Sequence, residues 1–301
     1  MGDRGFVTVA TGSDEYYQLA VNLYISYKKN GGKYPFVLIC DRENEYSRIF
    51  DRVVLVNEFR KSTIDKPLIY HSPYDESIFL DADILILRSI DDLWDVFRNW
   101  DDVGIFGCTY PVDSQRGWFT YEGCGEYKPQ IKFMIDMNGG IVYFRKTNRA
   151  SSIFNKALYL TEHYSEFDFK RFKEPADEPV MALSMALHSC KPLDYQYNQL
   201  ILPGMPEKVT TDYQGNIFIG KKELTPNLIH FSNIRTKHFL YNYLSFIAQN
   251  GNEAATQKNY YRMKRKYLFV DGKFNLFHNV GAVLRGMGLD STMEKIKLIL
   301  K

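Results

Sequence analysis

The sequence predicts an α/β protein with a single Rossmann-like sheet, mixed but mostly parallel, flanked by helices and followed by a basic, mainly helical C-terminal extension. Short apolar runs alternate with amphipathic segments along the first ~200 residues. Most of these runs are apolar throughout, which is typical of strands buried on both faces of a sheet. The length of 301 residues allows one large α/β unit or two domains. We expect one domain over residues 1–240 and the extension over residues 241–301.

The first strand and helix are marked by a β-branched run followed by helix-start signals. Residues Phe6–Thr11 predict the strand, and Ser13 is positioned to cap the helix. Apolar residues then recur at helical spacing, at Tyr16, Leu19, Leu23 and Tyr27. Two further strands are predicted at Phe36–Cys40 and Val53–Val56, which gives the order β-α-β-β.

The middle of the chain predicts further strands and helices. Strands are expected at Ser77–Leu80, Ile84–Leu87, Val103–Gly107 and Gly140–Phe144. Helices are expected through Leu93, Trp94 and Phe97, over Asn148–Tyr164 and over Glu178–His188. Ser89 and Asp92 form a variant capping box before the first of these helices, and Asp177 is the candidate N-cap of the last.

The composition argues against several classes of protein. With 45% hydrophobic and 25% charged residues, the chain is neither disordered, collagen-like nor a coiled coil. The 38 basic and 36 acidic residues nearly cancel, which argues against nucleic acid as a partner.

The charge balance of residues 251–301 differs from that of the whole chain, with 10 Lys and Arg against 4 Asp and Glu. The basic segment Arg262–Lys266 could lie on an anionic membrane surface, although a solvated helix face is the more common outcome.

The cysteines and the apolar runs predict the cellular compartment of the protein. Cys40, Cys108, Cys124 and Cys190 have no zinc-type spacing, so we expect free thiols in a reducing compartment and no disulfides. Residues Met1–Gly5 lack an apolar signal core. Charges interrupt every apolar run before it reaches the ~20 residues that cross a bilayer. We therefore expect a cytoplasmic protein, with peripheral membrane contact left open.

Two acidic residues separated by one small residue form the sharpest chemical signal. Asp81 and Asp83 follow the apolar run that ends at Leu80, with Ala82 between them. In an extended chain both carboxylates project from one face while Ala82 points away. Aligned carboxylates repel each other unless a cation lies between them, and their oxygens suit Mg²⁺ or Mn²⁺. Such an ion can stabilise a diphosphate leaving group, whereas the alternative is a solvated turn.

Other landmarks stand in order along the chain. They are Ala10-Thr11 with Tyr16, Phe79 to Asp83, Asp92-Leu93-Trp94, Asn138-Gly139-Gly140, Asp177 and His230. Through this ordered set, residues 5–240 resemble glycosyltransferases of the GT-A fold, family 8 type, which includes glycogenin and lipopolysaccharide hexosyltransferases. The resemblance implies that residues 1–240 form a catalytic domain that binds a nucleotide sugar, with a UDP-sugar as donor and Mn²⁺ or Mg²⁺ as cofactor.

The resemblance also implies roles for individual residues. The metal ligands would be Asp81, Asp83 and His230, and an imidazole beside carboxylates favours Mn²⁺ over Mg²⁺. The residues that contact the nucleotide or its sugar would be Ala10, Thr11, Tyr16, Lys66, Ala82, Asn138, Gly139 and Lys237. The acidic pair Asp177 and Glu178 would lie beside the sugar and the reacting carbon as the catalytic residues.

Several of these positions have a purely structural alternative. Tyr16 could pack in the core, and Lys66 could be a solvated surface lysine. His230, flanked by apolar residues, could be a hydrogen-bonded core residue. Asn138 and the glycines after it could form a turn before a strand, and Asp177 could be only an N-cap.

Two positions depart from the family pattern. After the histidine the family has a glycine and then a lysine that binds the diphosphate, whereas Phe231 follows His230 here. Lys237 stands one residue late, so Arg235 is the alternative. The family's Asp-Gln pair is Asp177-Glu178 in this chain, which adds a charge beside the sugar and leaves the donor sugar open.

The predicted activity is transfer of a hexose from a nucleotide diphosphate sugar to a hydroxyl of a glycan, lipid or protein, with retention that only the resemblance implies. The aromatic, glycine-bearing stretch Thr109–Gln130 is the candidate acceptor loop, and its alternative is a segment that covers the sheet. Phosphatases with a similar acidic motif carry it near the chain start, and pyrophosphorylases need a basic first loop, so both are disfavoured. A catalytically inactive protein that binds a nucleotide sugar or glycan stays open.

Overall fold

A computed structural model describes residues 3–59, 63–114, 116–169, 175–202, 209–231 and 235–286. The contacts within the chain divide it into two units. The first unit comprises Met1–Leu202 and Pro226–His230, and the second comprises Pro203–Thr225 and Phe231–Lys301. The division into a catalytic domain over residues 1–240 and an extension over residues 241–301 stays a prediction.

Strands and helices alternate through most of the described chain. The strands are β1 (Arg4–Ala10), β2 (Phe36–Cys40), β3 (Arg52–Leu55), β4 (Glu76–Leu80), β5 (Ile84–Ile86), β6 (Val103–Tyr110), β7 (Met134–Arg145), β8 (Gln199–Ile201), β9 (Val209–Thr211), β10 (Ile217–Ile219), β11 (Lys222–Leu224) and β12 (Leu228–His230). The α-helices are α1 (Asp14–Lys29), α2 (Leu93–Phe97), α3 (Asn148–Glu162), α4 (Asp177–Leu187), α5 (Phe239–Asn250) and α6 (Gln257–Gly286). Two longer 3₁₀-helical segments lie at Thr63–His71 and Glu122–Gln130.

The central sheet has six strands among the described residues, in the order β3-β2-β1-β4-β7-β6. Strands β3, β2, β1 and β4 run parallel, and β7 runs antiparallel to both β4 and β6. This arrangement confirms the predicted α/β class with a mixed, mostly parallel sheet. Strand β7 begins at Met134, earlier than predicted, because it also pairs with the second half of β6 at Gly107–Tyr110.

Both faces of the strands β1, β2 and β4 are largely buried, as the uniformly apolar runs predict. In β1, Phe6 packs into one apolar cluster and Val7 into the other, since successive side chains point to opposite faces. Helices α1 and α2 cover the Phe6 side, where Leu23 and Trp94 belong to the same cluster. Helices α3 and α4 contribute to the opposite cluster, which contains Phe154 among other residues. The carboxyl ends of β1, β2 and β4 therefore emerge from an apolar core on both faces.

A second, small sheet in the first unit has the order β5-β12-β8. Strand β12 runs antiparallel to β5 and parallel to β8. This register places His230 opposite Ile84, the first residue after Asp83. A histidine that is distant in sequence is thereby brought beside the acidic motif.

The second unit contains a three-stranded sheet, β9 to β11, and the helices α5 and α6. Phe239 and Tyr243 of α5 pack with Tyr260 of α6, with ring centroids 5.2 to 5.4 Å apart. Arg262, Lys264, Arg265 and Lys266 are exposed on α6. Membrane contact through these residues stays a prediction. Among the helices described, none combines the length and hydropathy needed to cross a bilayer.

Two predicted helix caps are wrong. Asp92, not Ser89, precedes α2, because two turn hydrogen bonds, from Leu93 N–H to Ile90 O and from Trp94 N–H to Asp91 O, separate Ser89 from the helix. The N-cap of α4 is Ala176, whose backbone is extended, so that Asp177 is the first helical residue. Ser13 does occupy the N-cap of α1, as predicted, although its side chain makes no capping hydrogen bond.

Truncating a buried leucine of the central sheet should destabilise the fold. Leu38 in β2 is 0% exposed, whereas Leu55 in the edge strand β3 is 53% exposed. We expect Leu38→Ala to lower the free energy of unfolding by about 2 to 5 kcal/mol through lost burial and a residual cavity. The matched variant Leu55→Ala should change it by no more than about 0.5 kcal/mol. Urea unfolding measures both values, and equal losses would contradict the assignment of β2 to the sheet interior.

Candidate metal and nucleotide-sugar site

The acidic motif forms a turn at the end of β4. Strand β4 stops at Leu80, and the Ile84 N–H donates to Asp81 O at 3.1 Å across the turn. The prediction that Asp81 and Asp83 lie in extended chain is therefore wrong, because the chain reverses between β4 and β5. The Asp81 N–H donates to Gly140 O at 3.0 Å, which fixes the turn to β7. The two carboxylates nevertheless converge.

His230 is the residue on which both carboxylates converge. Its Nε2 lies 3.2 Å from Asp83 Oδ1 and 3.5 Å from Asp81 Oδ2. The residue is 7% exposed. Burial lowers the pKa of His230, but the carboxylates of Asp83 and Asp81 outweigh burial and the net shift is upward. His230 is thus an integral part of the acidic site rather than a core residue alone.

The three side chains fit a divalent cation. One ligand atom from each of Asp81, Asp83 and His230 lies within 4.8 Å of the other two. Asp83 Oδ1 is buried, and the described group that faces it is His230 Nε2 at 3.2 Å. Two carboxylate oxygens and an imidazole nitrogen are donors that suit Mn²⁺ and tolerate Mg²⁺.

Asn138 and Gly140 lie against the other edge of the His230 ring. Asn138 Oδ1 lies 3.1 Å from His230 Nδ1 and also accepts the Gly140 N–H at 3.2 Å. A Cβ atom on Gly140 would lie only 2.5 Å from His230 Nδ1, so glycine is required for this close approach. The Asn138-Gly139-Gly140 segment belongs to strand β7 itself, which corrects the alternative of a turn before a strand.

Lys66 connects the acidic motif to the start of α4. It lies on the 3₁₀-helical segment Thr63–His71, and its side chain is only 12% exposed. Its Nζ lies 3.1 Å from Asp81 Oδ2, donates to Gly139 O at 3.1 Å and forms a close ion pair with Asp177. The alternative of a solvated surface lysine is therefore wrong. Glu178 joins the same group, because its Oε1 accepts the Gly139 N–H at 3.2 Å.

The pKa values of this group follow from burial and mutual repulsion. Burial raises the pKa of Asp81 to about 6, with Lys66 opposing the rise. Burial and the neighbouring Asp177 raise the pKa of Glu178 to about 7. Burial alone would lower the pKa of Lys66, but the facing carboxylates reverse this and raise it. Lys66 therefore stays charged, while Asp81 and Glu178 retain protons at weakly acidic pH.

The residues predicted to contact the nucleobase lie at the carboxyl end of β1. Ala10 and Thr11 are buried, whereas Tyr16 is 38% exposed and lies outside the core. Core packing of this helix is instead performed by Tyr17, which is fully buried. Strands β1 and β4 are parallel neighbours, and the Thr8 hydroxyl donates to Leu80 O at 2.8 Å. The predicted nucleobase residues and the acidic motif thus lie on the same edge of the sheet.

Asp41 and Arg42 form a polar group at this edge that sequence reasoning missed. Asp41 accepts the Gly12 N–H at 3.2 Å and the Tyr17 hydroxyl at 2.7 Å. Arg42 donates to Gly12 O at 2.7 Å. Because both residues directly follow the apolar run of β2, their position at the end of a buried strand was the signal that could have identified them.

Two further predictions lie outside this group. Lys237 and Arg235 belong to the second unit, and their contact with a diphosphate stays a prediction.

In the candidate acceptor stretch Thr109–Gln130, Trp118 and Phe119 are buried at 7% and 1% exposure, and the Trp118 indole N–H donates to Met137 O at 2.8 Å. These two aromatic residues cover the sheet rather than present a surface to an acceptor.

Comparisons with known proteins find similar solved structures only. No protein-family model matches the chain. No curated protein matches it. The similar structures include the glycosyltransferase GlyE of Streptococcus pneumoniae TIGR4, with 14% identity, 65% of this chain and 46% of that chain covered, and a TM-score of 0.44. The galactosyltransferase LgtC with donor and acceptor sugar analogs is 13% identical, with 83% and 95% covered and a TM-score of 0.49.

The bifunctional glycosyltransferase WbbM is a third similar structure, 14% identical, with 89% of this chain and 52% of that chain covered and a TM-score of 0.49. The chain thus spans about half the length of GlyE and of WbbM. All three are glycosyltransferases, the class that the sequence resemblance implies.

Removing the charge of Lys66 should destabilise the chain strongly. In Lys66→Met the buried carboxylates of Asp81 and Asp177 lose their counter-charge, which should cost about 3 to 5 kcal/mol of unfolding free energy. Lys33→Met, at an exposed position, should cost no more than about 0.5 kcal/mol. Urea unfolding of the metal-free chain compares the two variants. A small loss for Lys66→Met would contradict the ion-pair assignment.

The raised pKa of Glu178 predicts a pH dependence of stability. The folded chain holds the Glu178 proton up to a pKa of about 7, whereas the ordinary value is 4.5. The contribution of the protonated Glu178 to the free energy of unfolding is therefore complete below pH 4.5 and is lost as the pH rises to 7. In EDTA, the unfolding free energy should fall by about 2 kcal/mol more across this window in the parent chain than in Glu178→Gln. Parallel pH curves for the two proteins would contradict the burial of this carboxyl group.

Proposed function

We propose that this chain is a metal-dependent glycosyltransferase that moves a hexose from a nucleotide diphosphate sugar, a UDP-sugar, to a hydroxyl acceptor with retention of configuration. One observation carries the proposal. Asp81, Asp83 and His230 converge at one edge of the sheet, and Lys66 joins them to the buried acidic pair Asp177 and Glu178. A cation site directly beside buried carboxyl groups suits a reaction in which a diphosphate departs and positive charge develops on a sugar carbon.

Asp81, Asp83 and His230 would hold the metal ion, and their mixed donor set favours Mn²⁺ over Mg²⁺. When bound, the ion would supply positive charge to the oxygens of the departing diphosphate. Ala82, between the two ligands, would lie beside the nucleotide. Lys66 keeps its charge because three carboxyl groups raise its pKa, and it holds Asp81 and Asp177 in fixed positions.

The nucleotide would lie along the edge of the sheet where β1 and β4 end. Ala10 and Thr11 would contact the base, and the exposed ring of Tyr16 would stack on it. Asn138 and Gly139 would contact the sugar. Lys237 would contact the diphosphate, with Arg235 as the alternative.

Asp177 and Glu178 would act on the sugar. As the bond between the sugar carbon and the diphosphate oxygen breaks, its electron pair leaves with the diphosphate and the carbon becomes positively charged. An ionised carboxylate beside that carbon stabilises the charge. The acceptor hydroxyl, on a glycan, a lipid or a protein, then forms the new bond to that carbon and loses its proton to the departing diphosphate. Retention of configuration is proposed from the sequence resemblance, and a cytoplasmic location from the four free cysteines, three of them buried.

Thermal unfolding of the full chain tests the metal and nucleotide site. UDP with Mn²⁺ should raise the melting temperature of the parent above that with UDP alone, because a ligand that binds only the folded state stabilises it by about 2.7 kcal/mol at 100 times its Kd. Asp83→Ala should abolish the part that depends on Mn²⁺. Asp95→Ala, which removes an exposed carboxylate on α2, should retain it. Equal shifts in the parent and in Asp83→Ala would contradict the metal assignment.

Release of UDP from a panel of UDP-sugars in the presence of Mn²⁺ tests catalysis. The parent should release UDP, and Asp177→Asn should lower the rate on the order of 10²-fold while the thermal shift with UDP and Mn²⁺ is retained. Binding without any release across the panel would instead support a catalytically inactive protein that binds nucleotide sugars.

A further inference from the structure

Asn138 has an environment that a residue devoted to the donor sugar would not need. Its Oδ1 accepts the Gly140 N–H at 3.2 Å and lies 3.1 Å from His230 Nδ1. A backbone N–H only donates, so the amide atom facing Gly140 must be the oxygen and not the nitrogen. The same oxygen faces the imidazole, and an amide oxygen only accepts. His230 Nδ1 must therefore carry a proton.

This hydrogen bond determines which nitrogen of His230 is free for a metal. In a neutral imidazole one nitrogen carries the proton and the other a lone pair. With a proton held on Nδ1 by Asn138, Nε2 is the nitrogen that can offer a lone pair to a metal, and it faces Asp81 Oδ2 and Asp83 Oδ1 at 3.5 and 3.2 Å. The opposite tautomer would direct a hydrogen atom at the carboxylates and its lone pair at Asn138.

Two contacts hold Asn138 and the ring in this relation. Gly140 fixes the Asn138 oxygen through its N–H, and a Cβ on Gly140 would lie 2.5 Å from His230 Nδ1 and 3.0 Å from Asn138 Oδ1. The pairing of β12 with β5 fixes the backbone of His230 opposite Ile84. The ring therefore lies between a strand that holds Asn138 and a turn that holds the acidic motif.

We propose that Asn138 is a positioning residue for the metal site, which fixes the tautomer and the orientation of His230 so that the Nε2 lone pair faces Asp81 and Asp83. This inference rests on the proposed function and deepens it. It differs from the contact with the donor sugar that the resemblance implies for Asn138, because it requires an effect on metal affinity when no nucleotide is present. Outer hydrogen bonds of this kind typically change metal affinity by about 10 to 100-fold.

The experiment is a titration of the full chain with Mn²⁺ alone, with free Mn²⁺ followed by electron paramagnetic resonance. Asn138→Leu keeps the approximate size of the side chain but removes the acceptor, and we expect its Mn²⁺ affinity to fall by about 10 to 100-fold. Asn138→Asp keeps an oxygen acceptor and should bind Mn²⁺ within about threefold of the parent or more tightly. Thermal unfolding in EDTA verifies that the variants are folded.

A double-mutant cycle separates an effect through His230 from a general structural effect. His230→Ala should lower the Mn²⁺ affinity, and adding Asn138→Leu to it should cause no further loss, because the group that Asn138 positions is already gone. Additive losses would overturn the inference. Equal Mn²⁺ affinity in Asn138→Leu and the parent would also overturn it, but would leave the proposed function intact. Absence of Mn²⁺ binding by the parent would overturn both.

Discussion

The repulsion among four carboxyl groups that are buried or partly buried is the constraint on which the site depends. The four groups belong to Asp81, Asp83, Asp177 and Glu178, and among the described residues the bases that pair with them are Lys66 and His230. Full ionisation would leave more negative than positive charge in a region of low dielectric, which is costly. The chain reduces this cost by raising the pKa of Asp81 and Glu178 and by keeping Lys66 charged. Such an assembly adds little stability, which favours a functional reason for it.

The strand registers of two sheets place these charged side chains close together. Strand β4 pairs with β7 so that Leu80 lies opposite Ile141, which sets the turn at Asp81 beside Gly140. Strand β12 pairs with β5 so that His230 lies opposite Ile84. A slip of one residue in either pairing would turn the side chains to the opposite face. The apolar strands therefore do more than form a core, because their registers determine the geometry of the site.

The local part of this arrangement could be predicted from the sequence, and the long-range part could not. The strand before Asp81, the helix after Ser13 and the apolar residues around His230 follow from patterns within a few residues. The turn at Asp81 and Asp83 depends on where β4 stops, which the two-residue spacing does not encode. The contact between Asn138 and His230 spans 92 residues and exists only through the pairing of β7 and β12 with their neighbours. Asp41 was missed because its partners, Gly12 and Tyr17, lie on another element.

The Asn138-Gly139-Gly140 segment joins the two halves of the site through its backbone as well as its side chain. Gly139 accepts from Lys66 and donates to Glu178, while Gly140 accepts from Asp81. A Cβ atom on Gly139 would lie 2.8 Å from Lys66 Nζ, so a side chain at this position would displace the Lys66 ammonium group. Glu178, Asp81 and His230 thus contact the same short segment. The backbone of the two glycines therefore links Lys66 and Glu178 on one side to Asp81 on the other.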